Sequence, residues 1–458
     1  MPFADDGRPH IIGCTGVPLP QPQSLFSMNR HVLTLLFLAS PSVAAADWRN
    51  DADDRIEHLR KGDFTVEVRD AAGAGIGGAM VTYQLRHHAF LFGTAIAYAP
   101  FADQGVNGRL YRQFILDHFS ALVCENEMKW YSTEVEHGHE DYAPADALLA
   151  FAADNGLRMR GHCLYWEKQK YALPWLVALT PAALKSAVER RLTATLPRYA
   201  GRLASWDVNN EMLDGSFFRD RLGPDIAAWM FKEAARLDPK TPLFVNEYAI
   251  LGNPEKTERL LALVKDLQAK GATVGGIGIQ SHDSDRLTTD REAAPMSGER
   301  PEWMMKARLT PEMFLATLDR LYAETRLPIH LTEISAKTPD AVRRGEVLDM
   351  LFRLGFSHES VQAIMLWGFG AKTHWMGPDA ALMNADNTLN AAGARISHLL
   401  REEWTTRGSA TAGADGRTAF RGFYGDYTLK ITLPDGRQIG RDISLTQPAP
   451  AAVVRLTK

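Results

Sequence analysis

Cysteine is scarce in this sequence, with three residues in a chain of 458. Cys14 precedes the apolar segment near the N-terminus, and Cys124 and Cys163 are too few to make a disulfide framework. We expect these two to be buried free thiols, although a bond between them stays open at this point. The zinc-type spacings are also missing, because neither a closely spaced cysteine pair nor an H-E-x-x-H run occurs. Both absences disfavour a catalytic metal.

A strong charge of either sign is lacking too. The chain has 51 Lys and Arg against 55 Asp and Glu, a net charge of -4. This balance excludes the basic surface that is typical of a nucleic-acid-binding protein. The glycine cluster at 275–278 lies inside a strand pattern and not in a strand-to-helix loop, so it does not predict a nucleotide site. No cofactor is indicated.

No apolar run is long enough to span a bilayer. The run from Val32 to Ala39 follows Arg30 and precedes Ala44-Ala45-Ala46, which has the form of a signal-peptidase cleavage site. We therefore predict that residues 1–46 are an unstructured leader plus a signal peptide, cleaved near Ala46. The mature protein would then be secreted or periplasmic and would have no membrane segment.

From residue 86 onward, short apolar strands alternate with amphipathic helices. Several helix starts are marked by a capping side chain before a proline, at Thr180-Pro181, Asn253-Pro254 and Thr310-Pro311. Eight strand–helix repeats predict an α/β fold, a closed TIM (β/α)8 barrel, in preference to a doubly wound open sheet. The predicted strands cover residues 88–96, 119–126, 158–166, 203–211, 243–249, 274–282, 329–335 and 363–369.

Small β segments flank this barrel on its N- and C-terminal sides. Residues 63–85 alternate and turn, and Asp415-Gly416 and Asp435-Gly436 are hairpin signals. The predicted organisation is a leader and signal peptide at 1–46, an N-terminal β segment at 47–85, a catalytic barrel at 86–405 and a small C-terminal β module at 406–458. Three aromatic residues of the module could bind carbohydrate, but a place in its core is favoured: Phe423, Tyr424 and Tyr427.

Polar and aromatic side chains gather where the predicted strands end. In a TIM barrel these C-terminal ends form the edge that carries the active site. Carboxylates and amides can bind sugar hydroxyls and indole rings can stack on sugar faces, whereas the lack of arginine disfavours phosphate chemistry. The sequence therefore predicts a sugar-binding cleft. Its candidate residues are Glu125, Asn126, Lys129, His162, Trp166, Gln169, Asn210, Glu211, Asn246, Glu247, Gln280, His282, Glu333, Trp367 and Trp375.

Two of these carboxylates are candidates for a catalytic pair. Glycoside cleavage with retention of configuration uses two carboxyl groups about 5–5.5 Å apart. Glu211 ends the fourth strand and Glu333 the seventh, which are close enough across a narrow barrel mouth. Asn210 lies beside Glu211, where it could bind the sugar 2-hydroxyl. A non-catalytic carbohydrate-binding protein is the alternative class, and the intact pair argues against it.

Five motifs resemble those of family 10 glycoside hydrolases, the endo-β-1,4-xylanase family. They are ENEMKW (125–130), GHCLYW (161–166), WDVNNE (206–211), QSH (280–282) and LTEIS (331–335), followed by WGF and Trp375. The resemblance covers roughly residues 86–400. It implies a TIM barrel without cofactor or metal and a retaining reaction on xylan or xylo-oligosaccharides. It also assigns Glu211 as acid/base and Glu333 as nucleophile. We expect the protein to be a monomer.

The resemblance also assigns the other candidates to sugar subsites. Positions around subsite −1 match His162, Trp166, Asn210, Gln280, His282 and Trp367. Positions nearer subsite −2 match Glu125, Asn126, Lys129, Gln169 and Trp375, of which Gln169 and Trp375 would crowd the C5 position of the sugar.

The sequence departs from the family pattern at several places. Asn209 stands where valine is usual, Glu247 where aspartate is common, and Ser335 where an aspartate normally supports the histidine matching His282. Glu167 is atypical, and the connection at 283–309 is long enough to predict a functional loop over the cleft. A retaining hydrolase for another β-linked glycan therefore remains an alternative.

Overall fold

The structure is a computed structural model that describes residues 47–297, 299–446 and 452–455. The predicted leader and signal peptide at 1–46 lie outside these residues. Within the described part of the chain, no helix is both long enough and apolar enough to cross a bilayer.

The described strands belong to three sheets. Their bounds are β1 Lys61–Arg69, β2 Met80–His88, β3 Leu91–Ile96, β4 Ala121–Cys124, β5 Arg158–Gly161, β6 Tyr165–Trp166, β7 Ser205–Asn210, β8 Leu243–Tyr248, β9 Gly276–Ser281, β10 Ile329–Ile334, β11 Val361–Leu366, β12 Arg407–Thr411, β13 Arg417–Phe423, β14 Gly425–Thr432, β15 Gln438–Leu445 and β16 Ala452–Arg455.

The helices fall mostly between the barrel strands. They are α1 Trp48–Leu59, α2 Tyr98–Ala102, α3 Val106–His118, α4 Trp130–Thr133, α5 Ala143–Asp154, α6 Pro174–Ala178, α7 Pro181–Tyr199, α8 Phe217–Leu222, α9 Ile226–Leu237, α10 Pro254–Ala269, α11 Pro311–Thr325, α12 Ala341–Phe356 and α13 Ala391–His398. Short 3-10 turns occur at Gln169–Tyr171, Ser284–Arg286 and Pro378–Ala380, and a π-helical turn spans Leu399–Glu403.

A closed parallel barrel forms the centre of the fold. Strands β3, β4, β5, β7, β8, β9, β10 and β11 pair in parallel, and β11 pairs back with β3 to close the ring. The third strand is interrupted, because β5 ends at Gly161 and the two-residue β6 resumes beside β7. The predicted (β/α)8 barrel is confirmed.

The helix starts that the sequence marked are present as predicted. The Thr180 hydroxyl accepts a hydrogen bond from the Ala183 amide at 3.3 Å, which caps α7. Asn253 and Thr310 cap α10 and α11 in the same way. The proline that follows each cap costs no helical hydrogen bond, because the first amides of a helix have no intrahelical partner.

The two flanking segments form joint sheets. Strand β1 lies between β13 and β16, while β2 lies between β12 and β14. The segment at 47–85 also begins with helix α1. The prediction of a β segment there did not include this helix. The sheets pack through aromatic side chains, including Tyr83 of β2 stacked on Phe420 of β13 with ring centroids 3.9 Å apart. Burial of this apolar surface stabilises both segments together.

The module's aromatic residues lie mainly in its core. Phe423 and Tyr427 are fully buried, and the Tyr427 hydroxyl donates a hydrogen bond to the Phe423 carbonyl at 2.6 Å. The favoured core assignment is therefore confirmed for these two residues. Cys124 and Cys163 are free and buried, as predicted.

Candidate active site

A cleft of about 810 Å³ opens at the C-terminal end of the barrel strands. Most of the predicted site residues line it, namely Glu125, Asn126, Lys129, Trp166, Glu211, Gln280, His282, Glu333, Trp367 and Trp375. His162 and Asn210 lie buried beneath its floor, where they contact the carboxyl groups of Glu333 and Glu211. Since these residues come from different strands, only closure of the barrel could bring them together.

Glu333 lies on β10 in a network of hydrogen-bond donors. The Asn246 side-chain nitrogen donates to its Oε1 at 2.7 Å, and His282 Nε2 lies 3.2 Å from its Oε2. Burial alone would raise the pKa of Glu333, but the charges of His162, His282 and Lys129 and the His282 hydrogen bond outweigh burial and lower it to about 2. Glu333 is therefore an anion at neutral pH.

The donors around Glu333 are themselves held in place. Thr332 donates from its hydroxyl to the Asn246 side-chain oxygen at 2.6 Å, which fixes the amide so that its nitrogen faces Glu333. His162 Nδ1 donates to Asp207 at 2.7 Å, and its Nε2 lies 3.8 Å from Glu333. Asp207 also binds Arg160, and all three side chains are buried.

Glu211 follows β7 directly and has a backbone φ of 59°, a region that residues other than glycine seldom adopt. Two backbone hydrogen bonds hold this conformation, Glu211 N to Asn246 O and Gly215 N to Glu211 O, both 3.0 Å. The chain thereby turns sharply, and the carboxyl group lines the cleft.

Burial raises the pKa of Glu211, a hydrogen bond from Trp166 lowers it, and the charge of Glu333 raises it again, with a net upward shift. Gln280 Nε2 lies 3.4 Å from Glu211 Oε1, and the Asn210 amide lies 3.4 Å from the same oxygen. The Asn210 amide also meets the Asn246 amide at 2.9 Å. A chain of amides therefore links a carboxyl group with a raised pKa to a carboxylate with a lowered one.

Ser335 occupies the position beyond His282, as the sequence predicted. His282 Nδ1 lies 3.2 Å from the Ser335 hydroxyl, while its Nε2 faces Glu333. A neutral hydroxyl therefore stands where the family pattern has a carboxylate. The imidazole also packs edge-on against Trp375, with ring centroids 4.8 Å apart.

Two departures from the family pattern contact each other. The Asn209 amide donates to Glu167 Oε1 at 2.9 Å, and the other oxygen of Glu167 accepts from the Phe218 amide at 2.9 Å. Both side chains are fully buried. Glu167 therefore ties the segment after β6 both to β7, through Asn209, and to the start of α8, through the Phe218 amide.

The structure places Gln169 outside this cleft. Gln169 begins an exposed 3-10 turn and lines a separate small cavity with Gly215 and Phe217, not the cleft. The residue two positions further on faces the cleft instead, because Tyr171 stacks on Trp166 with ring centroids 3.6 Å apart. A role for Gln169 in crowding the sugar at C5 is not supported by this placement.

Several cleft residues were not singled out from the sequence. The connection at 283–309 does reach the cleft, where it contributes Trp303, whose ring stacks on Trp375 at 6.0 Å and meets Tyr248 edge-on at 6.3 Å. The other additions are Tyr131, Lys168, Lys170, Asp214, Asn253, Lys256, Arg259, Glu302 and Met305. The feature of the sequence that could have identified Trp303 is the presence of a tryptophan in a long connection.

Glu247 lies behind Glu211 and lines no part of the cleft. Its Oε1 accepts a hydrogen bond from the Leu213 amide at 3.1 Å, and its Oε2 has no partner among the described residues. Complete burial, together with the negative charge of Glu211, raises the pKa of Glu247 to about 8. Glu247 is therefore protonated at neutral pH.

We expect Glu247→Gln to stabilise the protein in alkaline solution. The folded state keeps the Glu247 proton up to about pH 8, whereas the unfolded chain loses it near the ordinary pKa of 4.5. The contribution of the protonated Glu247 side chain to the free energy of unfolding is thus complete below pH 4.5 and is lost as pH rises through 8. Urea denaturation should show a gain at pH 9 that is larger than any change at pH 5. The exposed Glu359→Gln variant is the control, and an equal effect at both pH values would contradict the assignment.

Among the described residues, no three His, Cys, Asp or Glu side chains are grouped so that they could hold a metal ion.

Comparison with known proteins points to one family. The model of glycosyl hydrolase family 10 matches residues 82–396. The anti-sigma-I factor RsgI6 of Acetivibrio thermocellus is 38% identical over 387 residues, which cover 84% of this chain and 47% of that protein. Endo-1,4-beta-xylanase 3 of Arabidopsis thaliana is 33% identical over 388 residues, 83% of this chain and 48% of that protein. The chain thus spans about half the length of these relatives.

Solved structures share the fold. Xylanase 10B from Thermotoga petrophila RKU-1, in complex with xylobiose, superposes with a TM-score of 0.59 over 69% of this chain and 95% of that chain, at 23% identity. Native xylanase 10B from Thermotoga maritima gives the same TM-score at 24% identity, over 69% of this chain and 96% of that one. At this level of identity the likeness shows the fold alone.

Proposed function

The chain belongs to glycosyl hydrolase family 10, and on that premise we propose that it is a retaining endo-β-1,4-xylanase. The observation that supports this most is the opposed pair of carboxyl groups in one cleft. Glu211 has a raised pKa and Glu333 a lowered one. Environments that push two carboxyl pKa values apart are how glycosidases separate an acid from a nucleophile.

In the proposed reaction, Glu211 donates its proton to the glycosidic oxygen while Glu333 attacks the anomeric carbon. The bond to the leaving sugar breaks and a glycosyl–Glu333 ester forms. Glu211, now an anion, then takes a proton from water, whose oxygen displaces Glu333. Asn210, beside the acid, is placed to bind the 2-hydroxyl of the sugar. Xylan is a polymer outside cells, so the export signal proposed for residues 1–46 suits this substrate.

A reducing-sugar assay on xylan, cellulose and mannan tests this function. Release from xylan, with retained configuration of the first product in an NMR time course, is the expected result. Stronger release from cellulose or mannan would favour the alternative of a hydrolase for another β-linked glycan. Binding without release from any of the three would favour a non-catalytic carbohydrate-binding protein.

The position of Trp375 supports xylan, in preference to a glucan, as the substrate. Its indole packs against His282 and Trp303 at the edge of the cleft, where bulk would exclude the hydroxymethyl group that distinguishes glucose from xylose. We expect Trp375→Ala to raise kcat/KM on an aryl cellobioside relative to an aryl xylobioside by about ten-fold. Trp229→Ala, on outer helix α9, is the matched control. An unchanged ratio in Trp375→Ala would show that another residue sets the preference.

A further inference from the structure

A second cavity, of about 440 Å³, lies at the opposite end of the barrel from the cleft, and we call it the basal cavity. Leu91 and Arg158 line it from the first residues of β3 and β5, and Arg60 and Tyr424 line it from the flanking segments. Its volume is within the usual range for small-molecule sites, roughly 300–1000 Å³. Strand β8 has six residues, so roughly 20 Å of barrel separates this cavity from the cleft.

The basal cavity carries positive charge without a matching carboxylate. Arg60 and Arg158 line it, whereas no Asp or Glu does so among the described residues. Neither arginine pairs with a carboxylate elsewhere in the described part of the chain, and burial is the cause of the shifted pKa of Arg60. Charged groups that are partly removed from water are normally paired with an opposite charge. The lining therefore favours an anionic occupant.

Arg60 has hydrogen-bond donors left over. Its Nε donates to the Phe356 carbonyl at 2.7 Å, and its Nη2 donates to the carbonyls of His358 and Val361 at 2.6 and 2.8 Å. These bonds fix the guanidinium group, and the two hydrogens of Nη1 have no acceptor among the described residues. Burial lowers the pKa of Arg60 to about 10, so the group is still charged at neutral pH. A fixed, half-buried guanidinium with a free NH2 group is well suited to bind a carboxylate.

Aromatic rings surround this guanidinium group. It lies 4.9 Å from the centroid of the Phe90 ring and 5.3 Å from that of Phe356, and these two rings pack edge-on with centroids 4.8 Å apart. Phe244 and Tyr424 also line the cavity. Aromatic rings pack favourably against one another in stacked or edge-on arrangements. The lining therefore suits a ligand that has an aromatic body as well as a negative charge.

His330 contributes a polar group without a partner on the barrel side of the cavity. Its side chain is 5% exposed, and its Nδ1 has no hydrogen-bond partner among the described residues. Burial and the positive charge of Arg160 lower the pKa of His330 to about 3, so the imidazole is neutral and has one N–H donor. Buried polar groups are normally hydrogen-bonded. An unpartnered imidazole beside a cavity therefore indicates a polar occupant.

We propose that the basal cavity binds a small aromatic monocarboxylate, with its carboxylate on Arg60 Nη1 and its ring among Phe90, Phe244 and Phe356. The exposed Arg158 adds positive potential. This site is separate from the cleft and does not depend on the proposed xylanase activity. Because Arg60 belongs to the flanking segment and Phe244 to the barrel, a bound ligand contacts both parts and should raise the thermal stability of the whole chain.

The test compares phenylacetate with its neutral amide, phenylacetamide, on the full chain. The two probes share a ring and differ in charge, and an NMR titration that observes the probe gives the Kd of each. For the wild type we expect a Kd on the order of 1 mM for phenylacetate. The amide should bind roughly 10-fold more weakly, because it loses the charge-assisted hydrogen bond. Phenylacetate at ten times its Kd should raise the Tm by about 1–3 °C, and the amide at the same concentration by less.

The ratio of the amide Kd to the acid Kd within each variant separates the loss of charge from any general change in the fold. Arg60→Met should bring this ratio near one. Arg158→Met removes an exposed side chain without an ion pair, so it should fold normally and lower the ratio by roughly 2- to 5-fold. Arg109→Met, at an exposed position of α3 outside the cavity, is the matched control. Trp375→Ala alters the cleft and should leave both Kd values unchanged.

Three results would overturn the assignment. The first is a wild-type ratio near one, or no binding of phenylacetate at about ten times the expected Kd. The second is a ratio that neither arginine variant changes, and if Arg60→Met does not fold, the ratio in Arg158→Met decides. The third is a Kd for phenylacetate that Trp375→Ala changes, because this would place the probe in the cleft.

Discussion

Glu333→Ala is expected to lower the rate of xylan hydrolysis by at least about 10⁴-fold, or about 5.5 kcal/mol of barrier. The reason is that the proposed covalent intermediate forms on this carboxylate and no other anion contacts the same donors in the described part of the cleft. Asn246 and His282 both hydrogen-bond Glu333, so each would lose this acceptor in the variant. The measurement is kcat/KM on an aryl xylobioside and on xylan.

A 2-fluoro xylobioside with a good leaving group separates loss of the nucleophile from loss of folding. The wild type should be inactivated, with the label on the peptide that contains Glu333, while Glu333→Ala should take up none. Circular dichroism should show the variant folded, and Glu359→Ala, whose carboxylate lies just before β11 at the other end of the barrel, should remain active. A label on a different residue, or inversion of configuration in the product, would falsify the nucleophile assignment.

The barrel and the placement of Glu211 and Glu333 in one cleft could be predicted because each depends on local patterns. In the sequence, strands β7 and β10 are apolar segments that end in polar residues. A closed parallel barrel brings such strand ends to one edge. The sequence pattern therefore predicts, without any knowledge of distances, that Glu211, Glu333 and His282 lie in one cleft. Ser335, which lies beside His282, could likewise be predicted from the motif that contains Glu333.

What could not be predicted depends on contacts between distant residues or on irregular backbone. Sheet pairing joins β1 to β13 and β2 to β12 across more than three hundred residues, which no local pattern encodes. The direction of the Gln169 side chain could not be predicted either, because the segment after Trp166 forms a 3-10 turn, in which a shift of one residue changes the direction of every side chain.

Loops explain the remaining omissions. Trp303 lies in a connection that could be predicted to cover the cleft, but this connection lacks periodicity, so the position of the Trp303 ring could not be predicted. The hydrogen bond between Asn209 and Glu167 was visible only as two separate departures from the family pattern. The structure places the two side chains in contact, and one departure accounts for the other, because the buried Asn209 side-chain nitrogen donates to the buried Glu167 carboxylate.

Glu211→Ala is expected to lower kcat/KM on xylan by roughly 10²–10⁴-fold, the usual contribution of a general acid. The loss should be much smaller for a dinitrophenyl xylobioside, whose leaving group departs without a proton. For that substrate the second step becomes limiting, because no base remains to activate water. The ester on Glu333 should therefore accumulate as a burst of dinitrophenol.

Azide should then restore turnover of the dinitrophenyl substrate in Glu211→Ala, because a small anion can enter the space left by the carboxyl group and attack the ester without a base. The product should be the β-glycosyl azide, since azide displaces Glu333 from the face that water normally uses. Glu211→Gln is the matched control, because its amide fills that space and should reduce the rescue. The alkaline limb of the wild-type pH profile, which reports loss of the Glu211 proton, should also disappear in Glu211→Ala. An α-glycosyl azide, or an alkaline limb that survives the substitution, would assign the acid/base role to another group.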